Sequence, residues 1–439
     1  MTIFAKIYKL IHMITEEQLI AVLRREMRPA LGCTEPVACA LACAKCSEML
    51  GGAPDKVTVY VSGNIYKNGM GVGIPGTGMI GLPIAAALGA TCGKVEYGLE
   101  VLKDVGVGNN LQQAKDMVEA GSVTVLLKED CSDKLYAEAV CCKESSVATA
   151  IIAHGHTNFI KCILNDQVTF EKPQDADSAT DKGVEMSLRA IWDFCNNVDI
   201  EKIAFLKEGA EMNKEISEAG LKSEYGLQIG KTLKENVGQG ILGNDFLTKA
   251  LIAATAASDA RMDGCPKPVM TNSGSGNQGI TVYLPVVVAA KQFGATEEQL
   301  IRALAMSNLV SAHIHYYMGH LSALCGIMLA ATGAATGIVY LMGGDYDKIA
   351  NAIKTMSSDL TGMICDGAKS GCALKVYSGV SAAVQAALLA MQGIKTFDSG
   401  IVDAEVEKTI KNVGIIGSIG MEQTDQTILQ IMCDKTCAR

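Results

Sequence analysis

The chain has 439 residues, of which 49% are hydrophobic and only 5% aromatic, and its formal net charge is −9. It is long enough for one large domain with an insertion or for roughly two or three domains. Because the chain is acidic and has no basic tract, nucleic acid and anionic membranes are poor partners for it. A composition rich in Ala, Gly and Met is typical of tightly packed helices, not of a barrel or a sandwich.

The sequence contains 16 cysteines, and this number bears on the compartment of the protein. A secreted chain would use them in disulfides, but the start of the sequence, MTIFAKIYKLIHMITEEQ, has no small-residue cleavage site. We therefore predict a cytoplasmic protein in which the thiols are free and a subset binds metal.

Three stretches of about twenty residues contain no charge and are long enough to span a membrane. They are Met70–Ala90, Leu321–Gly343 and Val376–Gly393. Because they are rich in Gly, Ala, Thr and Ser, we expect buried core helices and loops, and no membrane partner.

The first helices are marked by their N-termini. Thr15-Glu-Glu-Gln is a capping-box pattern and predicts a helix to about Arg25. Thr296-Glu-Glu-Gln predicts a helix start of the same kind. Pro36 stands in a first turn, where its missing N–H costs nothing, and predicts a second helix to Met49.

Residues 56–171 change to strand-like patterns. The segments KVTVYVSG, SVTVLL, KLYAEAVCC, SSVATAIIAHGHTNFIKCIL and QVTFE alternate β-branched residues between turns. A Gly-rich loop, KNGMGVGIPGTG, and a helix, NLQQAKDMVEAG, lie among them. A polar linker follows at 172–183, and helical patterns then continue to the end of the chain.

These patterns predict an α+β fold: a mostly helical catalytic domain with an inserted α+β domain. We expect the N-terminal helices of the helical domain at residues 1–52, the inserted domain at 53–175 and the helical catalytic domain at 176–439. This arrangement would return Cys33 to the C-terminal helical body. Helix faces rich in Ala and Gly suit a homodimer interface, although they equally suit a core.

Four cysteines lie close together near the N-terminus, and their surroundings separate them. Cys39, Cys43 and Cys46 share one helix face, where cysteine acts as a small hydrophobe, with soft-metal binding as the alternative. Cys33 lies in a Gly-Cys-Thr-Glu-Pro turn before that helix, where the helix dipole is expected to lower the thiol pKa. Its thiolate would be a base, a nucleophile or a metal ligand; a structural turn cysteine is the alternative.

Three cysteines in the C-terminal half form a second group. Cys325, Cys365 and Cys372 lie beside Gly, Ser, Asp and Lys in flexible sequence. Their spacing is not that of a zinc ribbon. Three thiolates can hold a [4Fe-4S] cluster and leave one iron open as a Lewis acid. Three unrelated structural cysteines are the alternative.

Two polar loops are candidate ligand sites. TNSGSGNQG, Thr271–Gly279, offers backbone N–H groups and polar side chains to a carboxylate or a phosphate. It matches neither the Walker A nor the dinucleotide pattern, so we expect a small carboxylate. YKNGMGVGIPGTG, Tyr66–Gly78, is a second such loop with Lys67 and Asn68 as donors, or else a turn-dense connection.

HIHYYMGH holds three of the six histidines. His313 and His320 are seven residues apart and could share a helix face, but the His-Glu-x-x-His pattern of zinc enzymes is absent. We expect histidines of the core or of a cluster pocket rather than zinc ligands.

Five segments occur in an order that resembles a known family: RPALGCTEPVA, KNGMGVGIPGTG, TNSGSGNQG, LCG and CDGAKSGCALK. They are similar to the L-cysteine desulfidase family, which is related to the α-subunit of iron–sulfur L-serine dehydratases. The resemblance spans about residues 15 to 430. It implies an oxygen-sensitive [4Fe-4S] lyase without pyridoxal phosphate that converts L-cysteine and water to pyruvate, ammonia and sulfide.

The resemblance also implies roles for individual residues. Cys325, Cys365 and Cys372 fall on the cluster-ligand positions, and Cys33 falls on the N-terminal active-site cysteine, as a fourth ligand or as the base. The histidine motif of the serine dehydratases is not evident, and Cys33 would take its place. The candidates for substrate binding are Ser273, Gly274, Ser275, Gly276, Asn277, Gln278, Lys67, Asn68 and Lys375. L-Serine dehydration on the same cluster and a non-catalytic cluster or thiol sensor are the rival functions.

Overall fold

The computed structural model describes residues 14–131, 133–173, 184–319 and 322–437. The first dozen residues, most of the predicted linker and His320 lie outside the described residues. Both predicted capping boxes are present, at Thr15 with Gln18 and at Thr296 with Gln299.

Eight strands occur in the described residues. They are β1 Pro29–Ala30, β2 Lys56–Val61, β3 Val123–Leu127, β4 Tyr136–Lys143, β5 Ser146–Ala153, β6 Phe159–Leu164, β7 Gln167–Glu171 and β8 Val269–Met270. Six of them form one sheet in the order β3-β2-β4-β5-β6-β7. Only the β2–β3 pair is parallel. The predicted strands are therefore all present, and the mixed sheet confirms the α+β class.

The same described residues contain seventeen α-helices. They are α1 Glu16–Glu26, α2 Thr34–Met49, α3 Gly63–Gly69, α4 Leu82–Cys92, α5 Asn110–Glu119, α6 Leu188–Asn197, α7 Ile200–Ile203, α8 Leu206–Lys222, α9 Ile229–Gly238, α10 Phe246–Met262, α11 Gly276–Phe293, α12 Glu297–Met318, α13 Gly326–Leu341, α14 Tyr346–Leu360, α15 Cys372–Met391, α16 Val406–Ile415 and α17 Glu422–Cys437. After the sheet, the described residues are mostly helical, as predicted, and β8 is the one strand that the helical patterns did not predict.

The sheet layer has its own core, and helix α2 belongs to it. Helix α2 packs against β4, β5 and α4, and its side chains from Cys39 to Cys46 are almost entirely buried with the strand residues Val57 and Ala139. Helix α1 packs instead on α12 in the helical body. This packing differs from the expected grouping of both N-terminal helices with the helical body. The boundaries at 52/53 and 175/176 stay a prediction.

Helix α13 is the centre of the helical body. It carries no charge and is buried on almost every side, as expected for a helix that is apolar all round. It packs against α11, α12 and α15. Among the described residues, α15 is the one helix long and apolar enough to cross a membrane by length and composition, and half of its most apolar window is buried in the protein.

A hydrogen bond between His313 and Glu407 joins helices α12 and α16 of this body. The Nε2 atom of His313, which is fully buried, lies 2.8 Å from Glu407 Oε2. The N–H of Leu188 donates to Glu407 Oε1 at 2.6 Å. Burial alone would raise the pKa of Glu407, but these hydrogen bonds and the nearby imidazole lower it below the usual value.

We predict that Glu407→Gln destabilises the protein by about 1–3 kcal/mol at pH 7, because hydrogen bonds to a charged group are lost. The native pKa of Glu407 is depressed, so its contribution is present above the unfolded pKa and is lost as the pH falls through the native value. Urea unfolding at pH 7 and below pH 4 would measure this. The exposed neighbour Glu405 is the control, as Glu405→Gln. A stability difference that does not shrink in acid would contradict the prediction.

Candidate functional site

Four helices begin at one cavity of about 160 Å³. Cys33 precedes α2, Ser275 precedes α11, Cys325 precedes α13 and Cys372 is the first residue of α15. A buried water needs only about 10–15 Å³ of comparable volume, so the cavity has room for a larger ligand. Helix N-termini carry partial positive charge and unpaired N–H groups, so these four helix starts favour negatively charged groups beside them.

Two short backbone contacts bring distant segments to this cavity. β1 pairs with β8 in the register Pro29↔Met270 and Ala30↔Val269. This pairing sets the turn around Cys33 beside the Ser273 loop, and Thr34 Oγ1 lies 3.4 Å from the carbonyl oxygen of Gly274.

The second contact joins two of the three C-terminal cysteines. An antiparallel bridge pairs Leu324 with Ile364. The Cys325 N–H donates to the Met363 carbonyl at 2.8 Å, and the Cys365 N–H donates to the Ala323 carbonyl at 2.6 Å. The two cysteines are thus fixed on adjacent segments of backbone.

Cys325, Cys365 and Cys372 line the cavity together with Cys33. Burial raises the pKa of Cys325, and the negative charge of a Cys365 thiolate would raise it further. Burial also raises the pKa of Cys372. Buried thiols that line one cavity are stable as thiolates only when a positively charged group or a metal lies beside them.

Cys33 differs from the sequence-based expectation in its ionisation. The helix dipole was expected to lower its pKa, but Cys33 is buried and this burial raises its pKa to about 12. The guanidinium of Arg261 opposes the rise, with Nη2 3.4 Å from Cys33 Sγ. The effect of burial on the pKa is larger than that of Arg261, because Cys33 is only 7% exposed.

The predicted loop also reaches the cavity. Ser273, Gly274, Ser275, Asn277 and Gln278 line it. Ser273 has a positive φ of 50°, which is uncommon outside glycine and is often found at functional sites. Ser275 caps helix α11 by accepting the N–H of Gln278.

Gly276 does not line the cavity but sets its geometry. A Cβ atom at Gly276 would lie 2.2 Å from Nε of Arg261 and 2.7 Å from Cγ2 of Val269. Only a glycine allows the guanidinium to pack at this place.

Two charged residues of the cavity were missed by the sequence reasoning. Arg261 ends the alanine-rich helix α10 and is 5% exposed; Glu35 begins helix α2 and is 8% exposed. Glu35 accepts hydrogen bonds from Asn68 Nδ2 at 3.0 Å and Thr34 Oγ1 at 3.3 Å. The sequence held no clear signal for either residue, because a charged residue near the end of a helix is usually exposed.

Three amide oxygens at the cavity have no hydrogen-bond partner. They are Oδ1 of Asn68, Oδ1 of Asn277 and Oε1 of Gln278, and all three are buried. Nε of Arg261 is also buried without a partner. Buried polar groups are nearly always paired in folded proteins, so this concentration of unpaired groups marks a ligand site.

The structure does not bring the two predicted lysines into the cavity wall. Lys67 lies on helix α3 rather than in a loop, and pairs with Asp425 on α17. Lys375 donates to Asp366 Oδ1 at 2.6 Å and to the Ile364 carbonyl at 2.8 Å. A role of either lysine in substrate binding stays a prediction.

Cys325, Cys365 and Cys372 are the candidate ligands of the predicted iron–sulfur cluster. Across the four described ranges, no three His, Cys, Asp or Glu side chains lie close enough to hold a single metal ion. The thiolates of a cluster bond to different irons, so they lie farther apart than the ligands of one ion. Three thiols around one cavity fit such a cluster.

Comparison with known proteins gives a consistent result. A family model described as the serine dehydratase alpha chain matches residues 96–430. A UPF0597 protein of Phocaeicola vulgatus is 49% identical over 96% of this chain and 98% of its own length. UPF0597 proteins of Bacteroides fragilis and Parabacteroides distasonis are each 47% identical over 96% and 97% of this chain and 99% of their own lengths.

We predict that Gly276→Ala destabilises the protein by about 1–3 kcal/mol, because its Cβ overlaps the guanidinium of Arg261 and forces both to shift. Urea unfolding measures this effect. Gly238 lies at the end of helix α9 with nothing within 4 Å of its virtual Cβ, so Gly238→Ala should be neutral or slightly stabilising. Equal effects of the two substitutions would show that the site does not require glycine at residue 276.

Proposed function

We infer the function of this chain from its family, because the chain belongs to the serine dehydratase alpha chain family. The family indicates a lyase with an iron–sulfur cofactor and a small amino-acid substrate. We propose that the chain is a [4Fe-4S]-dependent L-cysteine desulfidase. It converts L-cysteine and water to pyruvate, ammonia and hydrogen sulfide by β-elimination.

One observation carries this proposal: a single cavity is lined by four cysteines and by the polar loop Ser273–Gln278. These residues come from distant parts of the chain, and nothing in local structure requires them to meet. Thiols on one side and unpaired polar groups on the other suit an amino acid whose side chain has to be activated.

Cys325, Cys365 and Cys372 are the proposed cluster ligands. When bound by three thiolates, a [4Fe-4S] cluster supplies an open iron that acts as a Lewis acid toward the leaving group. The N-termini of helices α13 and α15 lie beside two of these cysteines and favour the thiolate form.

Cys33 is the proposed base. Its sulfur would accept the Cα proton of the substrate, and the hydrogen bond from Arg261 Nη2 stabilises the thiolate that this role requires. Removal of the proton and cleavage of the Cβ–S bond release hydrogen sulfide and leave aminoacrylate. This tautomerises to the imine, and water hydrolyses the imine to pyruvate and ammonia.

L-Serine dehydration is the second candidate, and the family description favours it. The lining of the cavity favours sulfur. Met262, Met318 and Leu324 stand beside the cysteines, and a thiol is a weak hydrogen-bond donor that loses little in such surroundings. A buried hydroxyl would need a polar partner.

Location and assembly stay predictions. The fifteen cysteines whose side chains the structure describes are free thiols, and thiols persist in a reducing compartment. We therefore expect a cytoplasmic protein. A homodimer is expected from the alanine- and glycine-rich helix faces alone.

An anaerobic assay tests the proposed reaction. The protein is reconstituted with iron and sulfide, desalted and supplied with L-cysteine or L-serine, and pyruvate and sulfide are measured. We expect pyruvate with an equal amount of sulfide from L-cysteine. Pyruvate from L-serine alone would move the function to serine dehydration. A bound cluster without pyruvate from either amino acid would overturn both candidates and favour a sensor.

Substitution of the cysteines tests their separate roles. Cys325→Ser, Cys365→Ser and Cys372→Ser should each lose most of the bound iron and of the cluster absorbance, because each removes one thiolate ligand. The partly exposed Cys142, on strand β4, supplies the control, and Cys142→Ser should keep both. Full iron content in a ligand variant would remove that cysteine from the set.

Cys33→Ser should keep the cluster and lower turnover by about 10²- to 10⁴-fold, the usual contribution of a general base. Loss of iron together with activity would make Cys33 the fourth ligand instead.

A further inference from the structure

We propose that the cavity is a receptor for the zwitterion of an α-amino acid, in which Arg261 binds the α-carboxylate and Glu35, with three amide oxygens, binds the α-ammonium group. The inference rests on the proposed function for the type of substrate and adds the residues that recognise each end. It also reverses the sequence-based expectation for Asn277 and Gln278, which become acceptors for the ammonium group instead of donors to the carboxylate.

Arg261 has the properties of a carboxylate receptor. It is 5% exposed and makes no ion pair with the described residues. Its contacts are weak or neutral: Nη1 lies 3.4 Å from Met262 Sδ, and Nη2 donates to the Gly32 carbonyl at 3.2 Å and to Cys33 Sγ at 3.4 Å. Burying an unpaired charge is costly. A carboxylate would give the unpartnered Nε an acceptor and replace the Met262 sulfur at Nη1, in charge-assisted hydrogen bonds that leave Nη2 on Cys33.

Glu35 has the opposite charge and the same isolation. Its carboxylate lies in the same cavity, 8% exposed, and accepts hydrogen bonds from the neutral groups of Asn68 and Thr34. A carboxylate can accept about four hydrogen bonds, so capacity remains for a ligand. The structure gives it no cationic partner among the described residues.

The unpaired amide oxygens complete the ammonium site. An ammonium group has three N–H donors and no acceptor. Asn68 Oδ1, Asn277 Oδ1 and Gln278 Oε1 are buried at the cavity without a donor. Asn68 also connects to Glu35 through its Nδ2 atom. Acceptors and a carboxylate beside one another are the chemistry that binds an ammonium group.

Arg261 and Glu35 do not pair with each other, although both act electrostatically on Cys33. A separated buried cation and anion suit a ligand that is neutral overall and carries both charges. Molecules with only one of the two charges leave the other group of the protein buried and unpaired. The receptor should therefore reject 2-hydroxy acids, which lack the ammonium group, and simple amines, which lack the carboxylate.

Binding of unreactive ligands tests this proposal separately from turnover. L-Alanine has no leaving group at Cβ, L-lactate replaces its ammonium group by a hydroxyl, and ethylamine lacks its carboxylate. Calorimetric titration of the anaerobically reconstituted protein should give the tightest binding for L-alanine. Equal binding of L-alanine and L-lactate, or no binding of L-alanine, would overturn the proposal.

Arg261→Gln should weaken L-alanine binding about 10- to 100-fold, because charge-assisted hydrogen bonds are lost. It should also reduce the preference for L-alanine over ethylamine, which a purely structural role would leave unchanged. Arg302 hydrogen-bonds to the Cys195 carbonyl and pairs with Glu298 elsewhere in the helical body, so Arg302→Gln is the matched control. If Arg261→Gln does not fold, Arg261→Lys keeps the charge and should show a smaller loss of affinity.

Glu35→Gln should remove most of the preference for L-alanine over L-lactate, whereas Glu138→Gln, on strand β4, should keep it. An unchanged preference in Glu35→Gln would overturn the role of Glu35. The result also separates the two proposals. L-Alanine binding that depends on Arg261 and Glu35, without pyruvate from any substrate, would leave the receptor intact and remove the elimination reaction. Pyruvate formation by the native protein, together with unchanged L-alanine binding in Arg261→Gln, would support the elimination reaction and overturn the receptor.

Discussion

The start of four helices at one cavity is the constraint on which the rest of the structure depends. Each N-terminus contributes roughly half a positive charge, together with N–H groups that have no hydrogen-bond acceptor within the helix. These partial charges act at a cavity whose lining also holds the charged side chains of Arg261 and Glu35. Thiols placed there are still neutral in isolation, because burial raises the pKa of Cys33 to about 12 and also raises that of Cys325. Helix dipoles alone do not overcome desolvation, whereas bonding to iron would hold the ligand cysteines as thiolates.

Backbone contacts between only one or two residue pairs bring these helix starts together. Two residue pairs between β1 and β8 hold Cys33 beside the Ser273 loop, and one bridge at Leu324 holds Cys325 beside Cys365. The sheet layer supplies Glu35 and Asn68, and the helical body supplies Arg261 and the loop. The site therefore lies where the two layers meet, a common place for ligand sites. The serine dehydratase match begins at residue 96, so Cys33, Glu35 and Asn68 come from the chain ahead of it.

Local patterns in the sequence were sufficient for much of the secondary structure, but not for helix α3 or for the short strands β1 and β8. The capping boxes at Thr15 and Thr296 and the alternating strands between residues 56 and 171 depend on near neighbours, so they could be predicted. The partner of helix α2 could not, because a helix with buried residues on nearly every side gives no direction to its packing. Arg261 and Glu35 were missed for a related reason. They are significant because neither has a side chain of opposite charge beside it. Tertiary contacts decide whether two charges pair, and the sequence does not show these contacts.

The proposed binding mode also gives a bound amino acid a direction. Cys33 Sγ lies 3.4 Å from the Nη2 atom of Arg261, so a carboxylate held by this guanidinium brings the adjacent Cα next to the sulfur. Glu35 and the amide oxygens then determine which of the remaining substituents of Cα is the ammonium group. In this binding mode the Cβ substituent is the end of the substrate that is free to meet the proposed cluster at Cys325, Cys365 and Cys372. Recognition of the two charged ends thus orients the proton toward the proposed base and the leaving group toward the proposed cluster, and binding energy from the unreactive ends of the substrate is used to position the bonds that break.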